Sequence, residues 1–234
     1  MPDDAITPAL RNHFVHGLLA DPAAETFKLL MHKGDNWLSG NQSDKAIDPY
    51  ETALRLRPED PKAKKNLGLA LASAQLGDVA EHRRQGLKLL TESLVIYEPQ
   101  STKWAMMQSY IGLTWADLRS GDHAENLRKA IEHQKVALQV FTKENDALLW
   151  GNTQHFLGLA FVSLPEGDRA ANILRAIECY EAALEVFTRQ DYPTEWATTK
   201  NSLGTAWRIL PKGDKAENLI KSIDCHEAAL QVFT

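Results

Sequence analysis

The chain has 234 residues, 44% hydrophobic and 24% charged, with a mean hydropathy of -0.35, which excludes a disordered tail and suits one or two globular domains. Its 26 Lys and Arg against 31 Asp and Glu leave a net charge of -5, giving no bulk attraction for nucleic acid or anionic lipid. No apolar run reaches the roughly 18–20 residues of a membrane helix. The Met-Pro-Asp-Asp start lacks the basic and apolar regions of a signal peptide, and the two cysteines suit a reducing compartment, so a cytoplasmic protein is expected. Ten prolines and 13 glycines are too few for an all-β chain of many tight turns. Helices are expected throughout.

Residues 1–26, punctuated by Pro2, Pro8 and Pro22, are expected to form a short helix and turn that cap the rest of the chain. His13 and His16 share a face of that helix. Two ligands make a weak metal site, and a solvated surface is the ordinary role for such a pair. Beyond residue 26 the chain repeats itself. Gly121-Asp122, Gly167-Asp168 and Gly213-Asp214 are 46 residues apart, as are Trp104, Trp150 and Trp196, and Trp115, Phe161 and Trp207. Between residues 121–142 and 213–234, 14 of 22 positions are identical, and a weaker copy opens at Gly77-Asp78, 44 residues before Gly121. Self-similarity at this period signals a stacked array in which each unit buries its neighbour's apolar face. The approximate units are 27–60, 61–104, 105–150, 151–196 and 197–234.

Each unit is predicted to be an antiparallel helix pair. Leu127, Ala130, Ile131, Ala137, Leu138 and Phe141 recur at helical spacing, as do Trp150, Phe156, Leu157, Phe161, Val162 and Leu164. Asp78, Asp122 and Asp214 stand at N-cap positions with Glu81, Glu125 and Glu217 three residues on, a capping-box pattern that Asp168 with Ala171 lacks. The glycine before each Asp suits the left-handed end of the preceding helix, and Pro165 and Pro211 fall where a helix should stop.

Leu67-Gly68, Ile111-Gly112, Leu157-Gly158 and Leu203-Gly204 each precede Leu71, Trp115, Phe161 or Trp207 by three residues. Ala46, Tyr50, Ala53 and Pro58 keep the spacing Ala-x3-aromatic-x2-Ala-x4-Pro, and Ala176, Tyr180 and Ala183 repeat its first three places. These residues resemble the tetratricopeptide repeat (TPR). Residues 27–60 fit the 34-residue form, with Gly34 and Trp37 also in place, and the later units resemble a lengthened variant of 44 to 46 residues. The longer form is similar to arrays in bacterial signalling proteins, some carrying a caspase-like CHAT domain after the repeats. The resemblance implies an all-α, right-handed solenoid of about five helix pairs plus an N-terminal capping helix. Small residues at Gly68, Gly112, Gly158 and Gly204, with Ala53, Ala137, Ala183 and Ala229 opposite, then let the helices of a pair approach. The aromatics Trp37, Trp115, Phe161 and Trp207 fill the space between, each worth ~2–3 kcal/mol of transfer free energy.

In this family the first helix of each pair lines a concave groove. Carried over by position, the lining is Lys65, Asn66 and Leu69; Ser109, Tyr110, Leu113 and Asp117; His155, Phe156 and Leu159; and Asn201, Ser202, Thr205 and Arg208. Such a mixture suits a peptide or partner helix, with aromatics as anchors. Tyr110, Phe156 and Leu159 equally suit packing between repeats. The family's clamp for C-terminal carboxylates needs Lys and Asn four apart, where this chain has Met31 and Asp35, then Lys65 and Leu69.

No phosphate loop, nucleophile elbow or zinc helix is present, and no cofactor or metal is implied. Cys179 and Cys225 occupy equivalent positions of successive helices, expected ~10 Å apart and beyond disulfide reach. A Cys225-His226 metal or nucleophile pair is set against a packing role, which His133, at the equivalent position in the unit before Cys179, favours. Leu230 and Phe233 keep the interior pattern to the last residues, where a terminal repeat normally turns polar. A longer array, a partner or a second copy is the expectation there. Three readings remain: a protein-binding scaffold first, the sensing arm of a larger signalling protein second, and an enzyme acting through Cys225 and His226 last. No basic stripe marks a nucleic-acid solenoid.

Overall fold

The structure is a computed structural model that describes residues 21–233. Among the described residues ten α-helices follow one another: α1 (Pro22–Ser39), α2 (Ser43–Leu56), α3 (Pro61–Ser73), α4 (Val79–Ser93), α5 (Thr102–Asp117), α6 (His123–Ala137), α7 (Ala147–Ser163), α8 (Arg169–Leu184), α9 (Pro193–Ile209) and α10 (Lys215–Phe233). A 3-10 turn, Leu94–Ile96, follows α4, and the described residues include no strand. Each odd-numbered helix packs most extensively on the even-numbered helix after it, and each even-numbered helix next on the odd one that follows. The chain is an α-solenoid of helix pairs. α1 begins at Pro22, inside the segment expected to cap the array, whereas His13 and His16 lie outside the described residues.

Local chemistry places the helix starts. Asp122 Oδ1 accepts from the N–H groups of Ala124 and Glu125 at 2.9 and 3.2 Å, and Asp168 and Asp214 do the same for α8 and α10. Asp78 accepts from Glu81 N–H at 3.0 Å. The glutamates of the expected capping box turn the other way: Glu81 pairs with Arg84, Glu125 with Arg128 and Glu217 with Lys221, one helical turn on. Asp21 and Asp60 cap α1 and α3 ahead of a proline at the first helical position.

Gly77, Gly121, Gly167 and Gly213 all have positive φ, between 74° and 86°. None of them ends a helix. Each sits three residues beyond the cap residue of the first helix, in the turn that aims the chain at the next Asp. Pro165 and Pro211 directly follow the caps of α7 and α9.

A second set of glycines sets how closely the helices of a pair approach. A Cβ at Gly34 would stand 2.5 Å from the Tyr50 ring, and one at Gly158 would stand 2.6 Å from the Tyr180 ring. The same test at Gly68, Gly112 and Gly204 meets Leu90, Gln134 and His226 at 2.9 to 3.0 Å. Ala53, Ala137, Ala183 and Ala229 are buried on the partner helices. Of the aromatics expected between the helices, Phe161 is buried in the core and the three tryptophans lie nearer the edge. Trp37, Trp115 and Trp207 are half-buried, and each is covered by a lysine of the second helix: Lys45, Lys129 and Lys221, at 4.8, 4.3 and 4.5 Å from the ring centroid. Phe161 has Arg175 in the same place at 5.8 Å. Such pairs contribute about 0.5–1 kcal/mol each at exposed sites.

Gly158→Ala tests the contact by its sign. In an open helix the change would add up to about 1 kcal/mol of stability. Against the Tyr180 ring it should instead remove about 1–3 kcal/mol by overpacking, read as a lowered midpoint in urea unfolding. A gain in stability would show that the two helices are free to separate.

Candidate partner-binding groove

The odd-numbered helices lie side by side, with α1 against α3, α5 against α7 and α7 against α9. Among the depressions that open between them, three hold residues expected in the groove. The one between α5 and α7 has a volume of about 270 Å³ and is lined by Met106, Tyr110, Leu113, Leu149 and Phe156, with Ser109, Asn152 and Thr153 as polar members and Phe141 behind. Tyr110 is 45% exposed. Phe156 is half-buried and also edges the next depression, about 140 Å³, which His155, Thr194, Glu195 and Thr198 line. The third, between α1 and α3, is lined by Asp35, Leu38, Lys62, Lys65, Asn66 and Leu69.

Several residues assigned to the groove from sequence are tied into the scaffold. Asn66 is buried and donates to Asp35 Oδ1 at 2.7 Å, which also accepts from the Tyr50 hydroxyl at 2.6 Å. Burial, and then the Asp35 carboxylate, hold that hydroxyl protonated far above the usual tyrosine range. Lys65 is half-buried at the rim, and burial lowers its ammonium pKa, with Lys62 adding to the effect. Ser109 edges the central depression yet donates to Gln134 Oε1 at 2.9 Å, while Gln134 Nε2 donates back to the Ser109 carbonyl.

His155 is buried, with Nδ1 3.0 Å from Thr199 Oγ1 and its ring against Phe156 and Tyr180. On α9, Asn201 Oδ1 lies 2.9 Å from His226 Nδ1, and Ser202 and Thr205 donate to carbonyls of their own helix. Asp117, Leu159 and Arg208 are exposed and line none of the three depressions.

The residues missed were Met106, Asn152 and Thr198, one turn before Tyr110, Phe156 and Ser202. Their 46-residue spacing was the available signal, because positions four apart share a helix face.

Burial works against thiolate chemistry at both cysteines. Cys179 and Cys225 are buried in one apolar cluster with Ile177, Tyr180, Leu203 and Ala206. Burial pushes the Cys179 thiol up to about 12 and raises that of Cys225 as well, opposite to the shift a thiolate nucleophile needs. Among the described residues no group of three His, Cys, Asp or Glu is placed to hold a metal ion, and no helix is long and apolar enough to cross a membrane.

No family model matches the sequence, and no curated protein aligns with it significantly. Solved structures do match. A crystal structure of MamA superposes with a TM-score of 0.58 at 18% identity, covering 89% of this chain and 92% of that one. MamA from Desulfovibrio magneticus RS-1 gives 0.59 at 15% identity, covering 89% and 95%. YrrB, described as a TPR protein with an unusual peptide-binding site, gives 0.55 at 18% identity, covering 92% and 98%. The fold is TPR-like. At these identities the likeness is one of fold.

Burial of His155 lowers its pKa from 6.5 to about 4. The unfolded chain therefore takes up the proton first as the pH falls, so this contribution is full above pH 6.5 and is lost towards pH 4. Burial shifts the half-buried His133 in the same direction. Between pH 7 and pH 4.5 the wild type should lose about 2–3 kcal/mol more unfolding free energy than His155→Gln. Equal losses in urea titrations at the two pH values would show that His155 is not held neutral by burial.

Proposed function

We propose that the protein is a non-catalytic scaffold that holds a peptide or partner helix in the groove of its odd-numbered helices. The observation that carries this reading is the central depression, in which Tyr110, Leu113 and Phe156 present apolar surface to solvent beside Ser109 and Asn152. A concave, mostly apolar site with a few polar groups suits an anchor side chain whose backbone needs hydrogen-bond partners. Lys65, Asn66, Leu69, Asn201, Ser202, Thr205 and Arg208 then flank the anchor site along the array. The peptide-binding site in the description of YrrB agrees with a TPR-like surface being used in this way. The raised thiol pKa values weigh against a catalytic role for Cys225 and His226.

A second reading is a sensing or regulatory arm of a larger bacterial signalling protein, with an effector of the CHAT type outside this chain. One observation favours it. Leu219, Ile220 and Ile223 of α10 are exposed, whereas Ile173 and Ile177, at the positions of Leu219 and Ile223 in α8, are buried beneath the helices that follow. That face of α10 suits a further array segment or a second copy.

Peptides selected from a display library should lose at least tenfold in affinity on Tyr110→Ala or Phe156→Ala, by calorimetry, with unchanged circular dichroism. Selected peptides indifferent to both substitutions would sink the groove reading. If α10 meets a second copy, Ile223→Lys should reduce the sedimenting mass at high concentration while groove binding persists. A mass equally monomeric before and after the change excludes that contact.

A further inference from the structure

The largest cavity among those described shares no lining residue with the groove. It has a volume of about 520 Å³ and lies between α4 and the turn leading into α6, with Leu87, Trp115 and Leu118 as its floor and Arg84, Lys88 and Thr91 at its rim. Gly86 of α4 is buried, and a Cβ there would meet the Gly68 carbonyl oxygen at 3.0 Å and the Ala72 nitrogen at 3.1 Å. The equivalent residues of α6 and α8 are Ala130 and Ala176. On its other side, the packing of α4 on α5 is the sparsest between successive pairs.

At the next junction the equivalent space is bridged. Arg128 pairs there with Glu166, and Lys135 lies over Phe161 at 5.8 Å from the ring centroid. Here the counterpart of Glu166 is Ser120, 3.3 Å from Arg84, and the counterpart of Lys135 is the short Thr91.

The rim charges do not cancel. Glu92, the acidic member of the lining, is engaged by Lys64 at 3.0 Å, and Arg84 is engaged by Glu81 at 2.8 Å. Lys88 is exposed and has no ion-pair partner among the described residues. An apolar floor containing an indole, beneath an unpaired ammonium and a partly exposed guanidinium, is complementary to a large apolar side chain flanked by carboxylates.

We propose that this cleft is a second binding site, for an acidic peptide segment carrying an aromatic or large aliphatic residue. The apolar side chain rests on Trp115 and Leu87, and a neighbouring carboxylate meets Lys88. The site goes beyond the groove reading and stands without it.

The test uses the full chain, isotopically labelled, titrated with acetyl-Asp-Glu-Phe-Glu-Asp-amide and followed by NMR. The Trp115 indole N–H signal, assigned by Trp115→Phe, should shift. Affinity should fall about tenfold or more in Lys88→Glu, which reverses the rim charge, and in Thr91→Phe, which fills the opening. Both positions are exposed, so the fold should persist. Should Thr91→Phe fail to fold, Lys88→Glu still decides. Replacing the peptide's Phe by Ala, or its acids by amides, should weaken binding comparably, while Tyr110→Ala leaves it unchanged. No shift at millimolar peptide, a shift indifferent to Lys88→Glu, or binding lost in Tyr110→Ala instead would each overturn the proposal.

Discussion

The closeness of the two helices within each pair is the constraint on which the rest of the molecule depends. One glycine per pair, Gly34, Gly68, Gly112, Gly158 or Gly204, lets the first helix settle against a side chain of the second at a distance that would crowd a Cβ. In the short first unit that side chain, Tyr50, lies 16 residues after its glycine. In the lengthened units it lies 22 residues after, at Leu90, Gln134, Tyr180 and His226. Six residues are thus inserted between the contact points without disturbing the contact. The aromatic and cation pairs obey the same rule, Trp37 with Lys45 being eight residues apart and Trp115 with Lys129 fourteen. The insertion falls in the connecting turn and at the start of the second helix, since every first helix ends five residues after its glycine, and the crossing point stays where backbone meets side chain.

With the pair fixed, one face of each first helix is left for other uses, and there the repeats diverge. Along one line of the groove the residues are Tyr110, Phe156 and Ser202, and one turn earlier Met106, Asn152 and Thr198. The apolar character is concentrated between α5 and α7, and the surface becomes polar toward α9. Anchoring energy in interfaces resides in a few buried aromatic contacts rather than in total area, so this uneven distribution gives the groove a centre. The same logic accounts for Asn66 and His155. Each stands at a groove position by register, yet a partner within reach, Asp35 or Thr199, draws it into the scaffold.

The cleft beside α4 lies where two units meet. A Cβ at Gly86 would be crowded by the α3 backbone, and on its other side α4 packs most sparsely on α5. Packed interiors hold few voids larger than a water molecule. Space of this size is found instead at the boundary between units, where solvent or a ligand can occupy it.

The sequence by itself determined the architecture. A 46-residue period with helical spacing, Asp before each second helix from α4 onward and glycine at each crossing dictates a stack of helix pairs, because these signals are local and recur. Tyr110, Leu113 and Phe156, expected from register to share one surface, stand around one depression between α5 and α7. Tertiary structure alone decided the rest. The φ of Gly121 belongs to a connecting turn rather than a helix end, which depends on where the preceding helix stops. Glu125 chose Arg128 over the backbone of its own cap, and His155 is buried against Thr199, 44 residues away, at the bottom of its depression. The opening beside Lys88 depends on which side chains of two units meet there. Periodicity names the face on which a residue lies, but the distances across that face are set by side chains from other units.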